Sequence, residues 1–316
     1  QSNKLINTFD VIRGKITFDL SLVEDPIIFK ADGYPTYHFA NVIDDYCMKI
    51  SHVIRGEEWL PSLPKHILIY KSFNWELPKF CHLPLLLNTN KTKLSKRQGD
   101  VAVEDFLDKG YLKESIINFV ALLGWHPKDN QEIFNLEDLI KIFSLDRVNK
   151  SGAVFDIEKL NWMNKKYLLD IPTSKLIKQI VIKLQDQDFN IITNKKLYKM
   201  IEFAKPRACT ISDIVNEIIK FIRYIPPDKL ILDKYDYKNL GQFWCNELGN
   251  NDTLDNMIIK NLIDLSKQIL GIAGKNLFIP LRLMLIGQEH GPDLYTIINI
   301  LGLKESIKRI KINIAK

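Results

Sequence analysis

Cysteine is scarce in this chain and never clustered: four residues, Cys47, Cys81, Cys209 and Cys245, stand singly among 316. With no CxxC pair there is no basis for a bound zinc, and the pattern is too sparse for a disulfide framework, so reduced thiols are the expected state. Long apolar runs are missing as well. None approaches the roughly 20 residues that a membrane-crossing helix needs, and the first residues hold no apolar signal core. Neither internal repeats nor low-complexity tracts occur. No sign of charge dominates: 44 Lys and Arg against 38 Asp and Glu leave a net charge of +6. A surplus this small permits contact with a polyanion without requiring it, and a solvated surface explains it equally well.

What is present is core-forming material. Hydrophobic residues make up 46% of the chain, enough for two or three folded domains. The first residue is Gln, not Met, and residues 8–18 already read as ordered structure, so the chain is expected to begin inside a longer polypeptide.

The periodicity of apolar residues changes near Val103. Before it, residues 16–18, 27–30, 50–55 and 80–87 read as strands and residues 61–73 as a helix, which makes a strand–helix–strand unit over 50–87 and predicts a parallel sheet. After it, helical spacing dominates: helices are expected at 103–109, 113–123, 136–143, 157–168, 173–184, 195–204, 211–222, 254–270 and 294–300. Gly110, Gly124 and Pro127 punctuate the first of these, and the turns at 224–228 and 249–252 the later ones. Residues 88–100 are polar and come after the carboxyl end of the last strand, where open α/β sheets bind ligands.

Within that loop lies Lys93-Leu94-Ser95-Lys96-Arg97. Two lysines three apart, an adjacent arginine and a hydroxyl donor can surround a triphosphate and stabilise the charge that builds on leaving pyrophosphate. By itself such a pentapeptide is more often a solvated basic loop.

Its surroundings decide between the two. The pentapeptide resembles the second signature of class I aminoacyl-tRNA synthetases. The flanking blocks, residues 82–87 before it and 99–106 after it, are similar to the glutamyl branch. So are residues 32–45 and 52–59 upstream, residues 121–125 and 154–164 downstream, and residues 280–292 near the end. Methionine and a final serine, frequent in the family motif, are replaced here by Leu94 and Arg97, as is common in the glutamyl branch. The resemblance to the bacterial-type glutamyl-tRNA synthetases covers nearly the whole chain.

That resemblance implies an α/β plus all-α architecture. Residues 1–102 would hold the end of an acceptor-binding insertion and the C-terminal half of a Rossmann-like catalytic domain. Residues 103–168 would form a helical stem-contact domain. Residues 169–316 would form a helical anticodon-binding domain of two parts, divided near 240. It implies a glutamate–tRNA ligase using ATP with Mg2+, with L-glutamate and tRNA(Glu) as partners, monomeric and cytoplasmic or organellar, with no DNA or membrane partner and no zinc in this segment.

Roles carry over residue by residue. Arg55 matches the arginine that holds the substrate's side-chain carboxylate, a task suited to a guanidinium fork that stays charged. Tyr37 and Asn41 match neighbouring glutamate contacts. Glu58, Trp59 and the backbone of Leu86 resemble ATP contacts. Lys93 and Lys96 take the triphosphate, assisted by Ser95 and Arg97. Arg207 matches an arginine that reads the third anticodon base, and Arg282, Gln288 and His290 lie in a similar block, where a packing role is as good a reading as a base contact. No residue reads as a general base, and the implied first step needs none, because the attacking carboxylate is already ionised.

One family feature has no counterpart. The other class I signature, a His-containing turn that binds ATP phosphates, is not supplied by the histidines at 38, 52, 66, 82, 126 and 290. The chain is therefore expected to lack the N-terminal part of the catalytic domain and to be inactive alone. The alternatives are a truncated, non-catalytic tRNA-binding fragment and an enzyme that also charges tRNA(Gln).

Overall fold

A computed structural model describes residues 5–94, 102–184 and 193–315. It divides into two compact units, residues 1–164 and 165–316, with the division falling inside a helix.

The first unit opens with a hairpin, β1 (Leu5–Asp10) and β2 (Gly14–Asp19), paired antiparallel from Leu5 opposite Asp19 to Asp10 opposite Gly14. Gly14 takes φ +83° at the turn, a conformation open to glycine without steric cost. The Asp10 carboxylate closes the turn by accepting from the backbone N–H groups of Ile12 and Arg13. Next come α1 (Tyr37–Cys47), β3 (His52–Gly56), α2 (Leu63–Ser72) and β4 (Lys79–Leu83). β3 and β4 are parallel, with Val53 opposite Phe80 and Arg55 opposite His82, and β4 also runs parallel to β1. The order across this sheet is β2-β1-β4-β3. The expected strand–helix–strand unit is thus present, its core formed by Ile6, Val53, Leu63, Ile67 and Phe80.

Two sequence expectations change. Residues 27–30 do not form a strand; only a single bridge joins Phe29 to Pro35. The Asp32 carboxylate accepts from Tyr34 N–H, Gly33 adopts φ +82°, and Thr36 bonds back to the carbonyls of Ile27 and Ile28, so the segment folds on itself. Residues 80–87 are not one strand either. Pro84 has no N–H to donate to a ladder; β4 stops at Leu83, and β5 (Leu86–Leu87) pairs instead with β6 (Ala153–Val154) in a separate sheet.

Four helices complete the unit: α3 (Val103–Asp108), α4 (Lys113–Gly124), α5 (Leu136–Ile142) and α6 (Ile157–Asp170). They bury two clusters, Trp125 with Phe134, Leu139 and Cys81, and Phe106 with Phe119, Leu160 and Met163.

The second unit is helical throughout its described residues: α7 (Thr173–Leu184), α8 (Asn194–Ala204), α9 (Ile211–Ile222), α10 (Lys229–Leu232), α11 (Tyr237–Gly249), α12 (Asn256–Leu270), α13 (Lys275–Ile286), α14 (Leu294–Leu301) and α15 (Leu303–Ile314). α9 shows why. Thr210 and Asp213 form a capping box, and Ile211, Ile214, Val215, Ile218 and Phe221 make one buried stripe at helical spacing. α13 runs through Pro280, in a stretch where the sequence reading expected no helix. All four cysteines are free; Cys81 and Cys245 are buried and Cys47 is exposed. No helix among the described residues is long and apolar enough to cross a membrane.

Candidate functional site

Arg55 leaves the end of β3 and is the centre of a small polar pocket. Its side chain is 15% exposed. The guanidinium carbon lies 5.7 Å from the Tyr37 ring centroid and 5.6 Å from that of Trp59, and the two rings are 5.0 Å apart. Tyr37 and Asn41 stand one turn apart on α1, which puts both on one face, and Trp59 sits in the 3-10 turn after β3. Two atoms here are buried without a hydrogen-bond partner among the described residues, the donor Nη1 of Arg55 and the acceptor Oδ1 of Asn41. Unpaired buried groups of this kind cost on the order of 1–3 kcal/mol each, more when charged, unless a partner such as a polar ligand satisfies them. A guanidinium donor and an amide acceptor that both lack a partner suit a small molecule carrying a carboxylate and a hydrogen-bond donor.

Sequence reading missed the group that stands behind this pocket. Asp45 Oδ2 lies 4.0 Å from Arg55 Nη2 and accepts from Asn41 Nδ2 at 3.5 Å, so one carboxylate orients both groups. Burial raises the Asp45 pKa; Arg55 opposes that rise and Asp44 adds to it. The signal was available, because Asp45 is four residues from Asn41 on the same helix face. His38 Nδ1 and His66 Nε2 share a hydrogen bond of 2.9 Å. Burial, then the Arg55 charge, then His38, His82 and Lys65 push His66 down to about 3; burial followed by Lys65 and Arg55 lowers His38 as well. Both rings are neutral near pH 7, which leaves Arg55 as the pocket's cation.

Of the residues that the resemblance assigns to the nucleotide, Trp59 belongs to this cluster, and Glu58, Leu86 and Lys93 come together separately. Lys93 Nζ is 3.5 Å from Glu58 Oε1, and both side chains are largely exposed. The Leu86 carbonyl accepts from Leu94 N–H at 2.8 Å, and Leu87 bridges Lys93, so β5 turns back on itself before the basic pentapeptide. Ser95, Lys96 and Arg97 lie outside the described residues. A Cβ at Gly56 would meet the Glu58 carboxylate at 2.1 Å, the far end of an exposed side chain that can swing aside. Among the described residues no group of three or more His, Cys, Asp or Glu is gathered to hold a metal ion.

In the second unit, Arg207 comes after α8 in a short 3-10 turn over 205–207 that begins with Lys205 and Pro206. Its guanidinium stacks 4.2 Å from the Phe203 ring centroid and donates to Phe203 O at 2.8 Å. Arg207, Gln288 and His290 line a common cavity of about 430 Å³ together with Phe203, Phe221 and the ion pair of Lys220 with Glu217. Arg282 is used differently: its Nε holds the Pro292 carbonyl at 2.9 Å, bracing the turn that carries Gln288 and His290. A cavity with cationic, amide and aromatic walls fits an unstacked nucleobase beside a phosphate.

Comparison with known proteins divides the chain at nearly the same place as its fold. A family profile described as tRNA synthetases class I (E and Q), catalytic domain, matches residues 1–162, and one described as an anticodon binding domain matches residues 167–314. The glutamate–tRNA ligase of Alkaliphilus metalliredigens is 42% identical over 97% of this chain, and that of Clostridioides difficile is 41% identical over 98%. The chain spans 64% of the length of each of these relatives. Among solved structures, a glutamate tRNA ligase from Elizabethkingia meningosepticum, in complex with its amino acid, superposes with a TM-score of 0.86 at 36% identity, covering 99% of this chain and 66% of that one. A glutamate-tRNA synthetase from Elizabethkingia anophelis gives 0.84 at 35% identity, covering all of this chain and 67% of that one.

Proposed function

The chain belongs to the class I tRNA synthetases of the glutamate and glutamine branch, and from that premise we propose that the whole protein is a glutamate–tRNA ligase. The observation that carries the choice of substrate is the cluster around Arg55, with the unpaired Nη1 of Arg55 and the unpaired Oδ1 of Asn41, both on residues held by Asp45. Arg55 takes the side-chain carboxylate of L-glutamate, Asp45 holds the fork in place, and Tyr37 and Asn41 orient the rest of the amino acid. A neutral carboxamide would leave the guanidinium charge unbalanced, so glutamine is disfavoured.

The first step needs no proton transfer. The glutamate α-carboxylate attacks the α-phosphorus of ATP, the bond to the β-phosphate oxygen breaks, and pyrophosphate leaves. Catalysis consists of alignment and charge stabilisation. Leu86 and Trp59 hold the nucleoside end, Glu58 lies beside it, and Lys93 with Lys96 faces the pyrophosphate, aided by Ser95 and Arg97. Mg2+ travels with the triphosphate as part of the nucleotide substrate. In the second step a terminal ribose hydroxyl of tRNA attacks the adenylate carbonyl and AMP departs. The helical residues serve the RNA: 103–168 the stem and 169–316 the anticodon, where Arg207, with Gln288 and His290 in the same cavity, favours tRNA(Glu) over tRNA(Gln). We take the protein to act as a cytoplasmic monomer.

Replacing Arg55 by Ala in the whole protein tests the reading. Loss of a bidentate charge pair is expected to raise the glutamate KM in tRNA charging by at least about a hundredfold while the ATP KM moves little. Unchanged glutamate dependence would sink the assignment.

A further inference from the structure

Arg13 and Glu57 make an ion pair at the β3 end, and each is committed to several chain segments at once. Arg13 stands in the β1–β2 turn. Its Nε donates to His82 O at 3.1 Å, its Nη1 donates to Lys150 O at 2.7 Å, and its Nη2 lies 2.6 Å from Glu57 Oε2. Glu57 comes directly after β3, and its other oxygen, Oε1, accepts from Leu85 N–H at 3.2 Å. Leu85 is the residue between Pro84 and β5, and its carbonyl in turn accepts from Ala153 N–H at 3.0 Å. Both backbone groups of Leu85 are therefore fixed.

That fixation matters because β5 is two residues long, far too short to hold its own position by ladder bonds, and Pro84 contributes no donor. Directly after Leu85 the chain enters the proposed nucleotide edge: Leu86, whose carbonyl binds Leu94 N–H, and Leu87, which bridges Lys93. Glu58, next to Glu57 in the chain, faces Lys93. At the same strand end, a different carboxylate, Asp45, orients Arg55. The two halves of the site thus have separate braces.

We propose that Glu57, anchored by Arg13, is a positioning residue for ATP: it sets the backbone of Leu86 and the ammonium of Lys93 without itself touching the nucleotide. The inference rests on the reading of Leu86, Glu58 and Lys93 as nucleotide contacts. It has a signature that general destabilisation lacks, because only one of two substrates is affected.

The test is steady-state charging of tRNA by the whole protein, with ATP and glutamate varied separately. Glu57→Ala is expected to raise the ATP KM about tenfold and leave the glutamate KM within about twofold. Glu57→Gln, whose amide oxygen still accepts from Leu85 N–H, falls between wild type and Glu57→Ala. Arg13→Met shifts the ATP KM in the same direction, and the double variant is no worse than the poorer single one, as expected for residues acting in series. Should Glu57→Ala fail to fold, Glu57→Asp carries the same ATP-selective expectation. An unchanged ATP KM, or ATP and glutamate KM rising together, overturns the inference. A wild-type protein that charges no tRNA with glutamate overturns the ligase reading instead.

Discussion

Single side chains set the acid behaviour of the first unit. Burial would push the Asp10 carboxyl up, but N–H groups of Arg13, Ile12 and His82 and the His82 ring together hold it below its ordinary value. A carboxyl depressed in the folded state adds stability above its unfolded value, and that contribution is lost as pH falls through the folded one. His66 acts in a higher window. Its ordinary value is 6.5 and the folded value is about 3; between the two the unfolded chain binds a proton that the folded chain refuses. Its contribution is therefore complete above the ordinary value and declines as pH falls toward the folded one. In urea titrations, going from about pH 7 to about pH 4.5, wild type should lose midpoint faster than His66→Gln, since the amide cannot take the proton. Equal losses in both would show that His66 is not the source.

At the scale of elements, the pattern of apolar residues predicted the helix at 211–222 to the residue, because one buried stripe and a capping box leave little choice. It failed where proline or a turn competes with pattern. Pro84 divides what reads as one strand, whereas Pro280 does not divide α13, and nothing local distinguishes the two cases. The site is legible in the same uneven way. Arg55, Tyr37 and Asn41 stand out through the blocks that contain them; Glu57 does not, because its partners Arg13 and Leu85 are 44 and 28 residues away and meet it only once strands are paired. Gly287 is a further element-scale constraint. It ends α13 at φ +73°, and a Cβ there would lie 2.4 Å from Ile225 O. Gly287→Ala is expected to destabilise the second unit by about 1–3 kcal/mol, adding backbone strain to a clash with main chain. Calorimetry of the variant checks this, and an unaltered melting temperature would contradict it.

For the whole molecule, the proposed function divides recognition between the two units. The first holds small polar groups around the ends of parallel strands, where crevices in α/β sheets form. The second has a cavity between helix ends lined by Arg207, by the Lys220–Glu217 ion pair and by the rings of Phe203 and Phe221, and the proposed function gives it unpaired bases. The free donor of Arg55 and free acceptor of Asn41 are the groups at which the proposed activity becomes selective. The most direct measurement is therefore charging of tRNA by the whole protein with labelled glutamate and labelled glutamine in parallel, for wild type and Arg55→Ala. The account predicts that wild type transfers glutamate and not glutamine, and that Arg55→Ala loses the preference. Equal transfer of both amino acids by wild type, or a preference that survives Arg55→Ala, would contradict it.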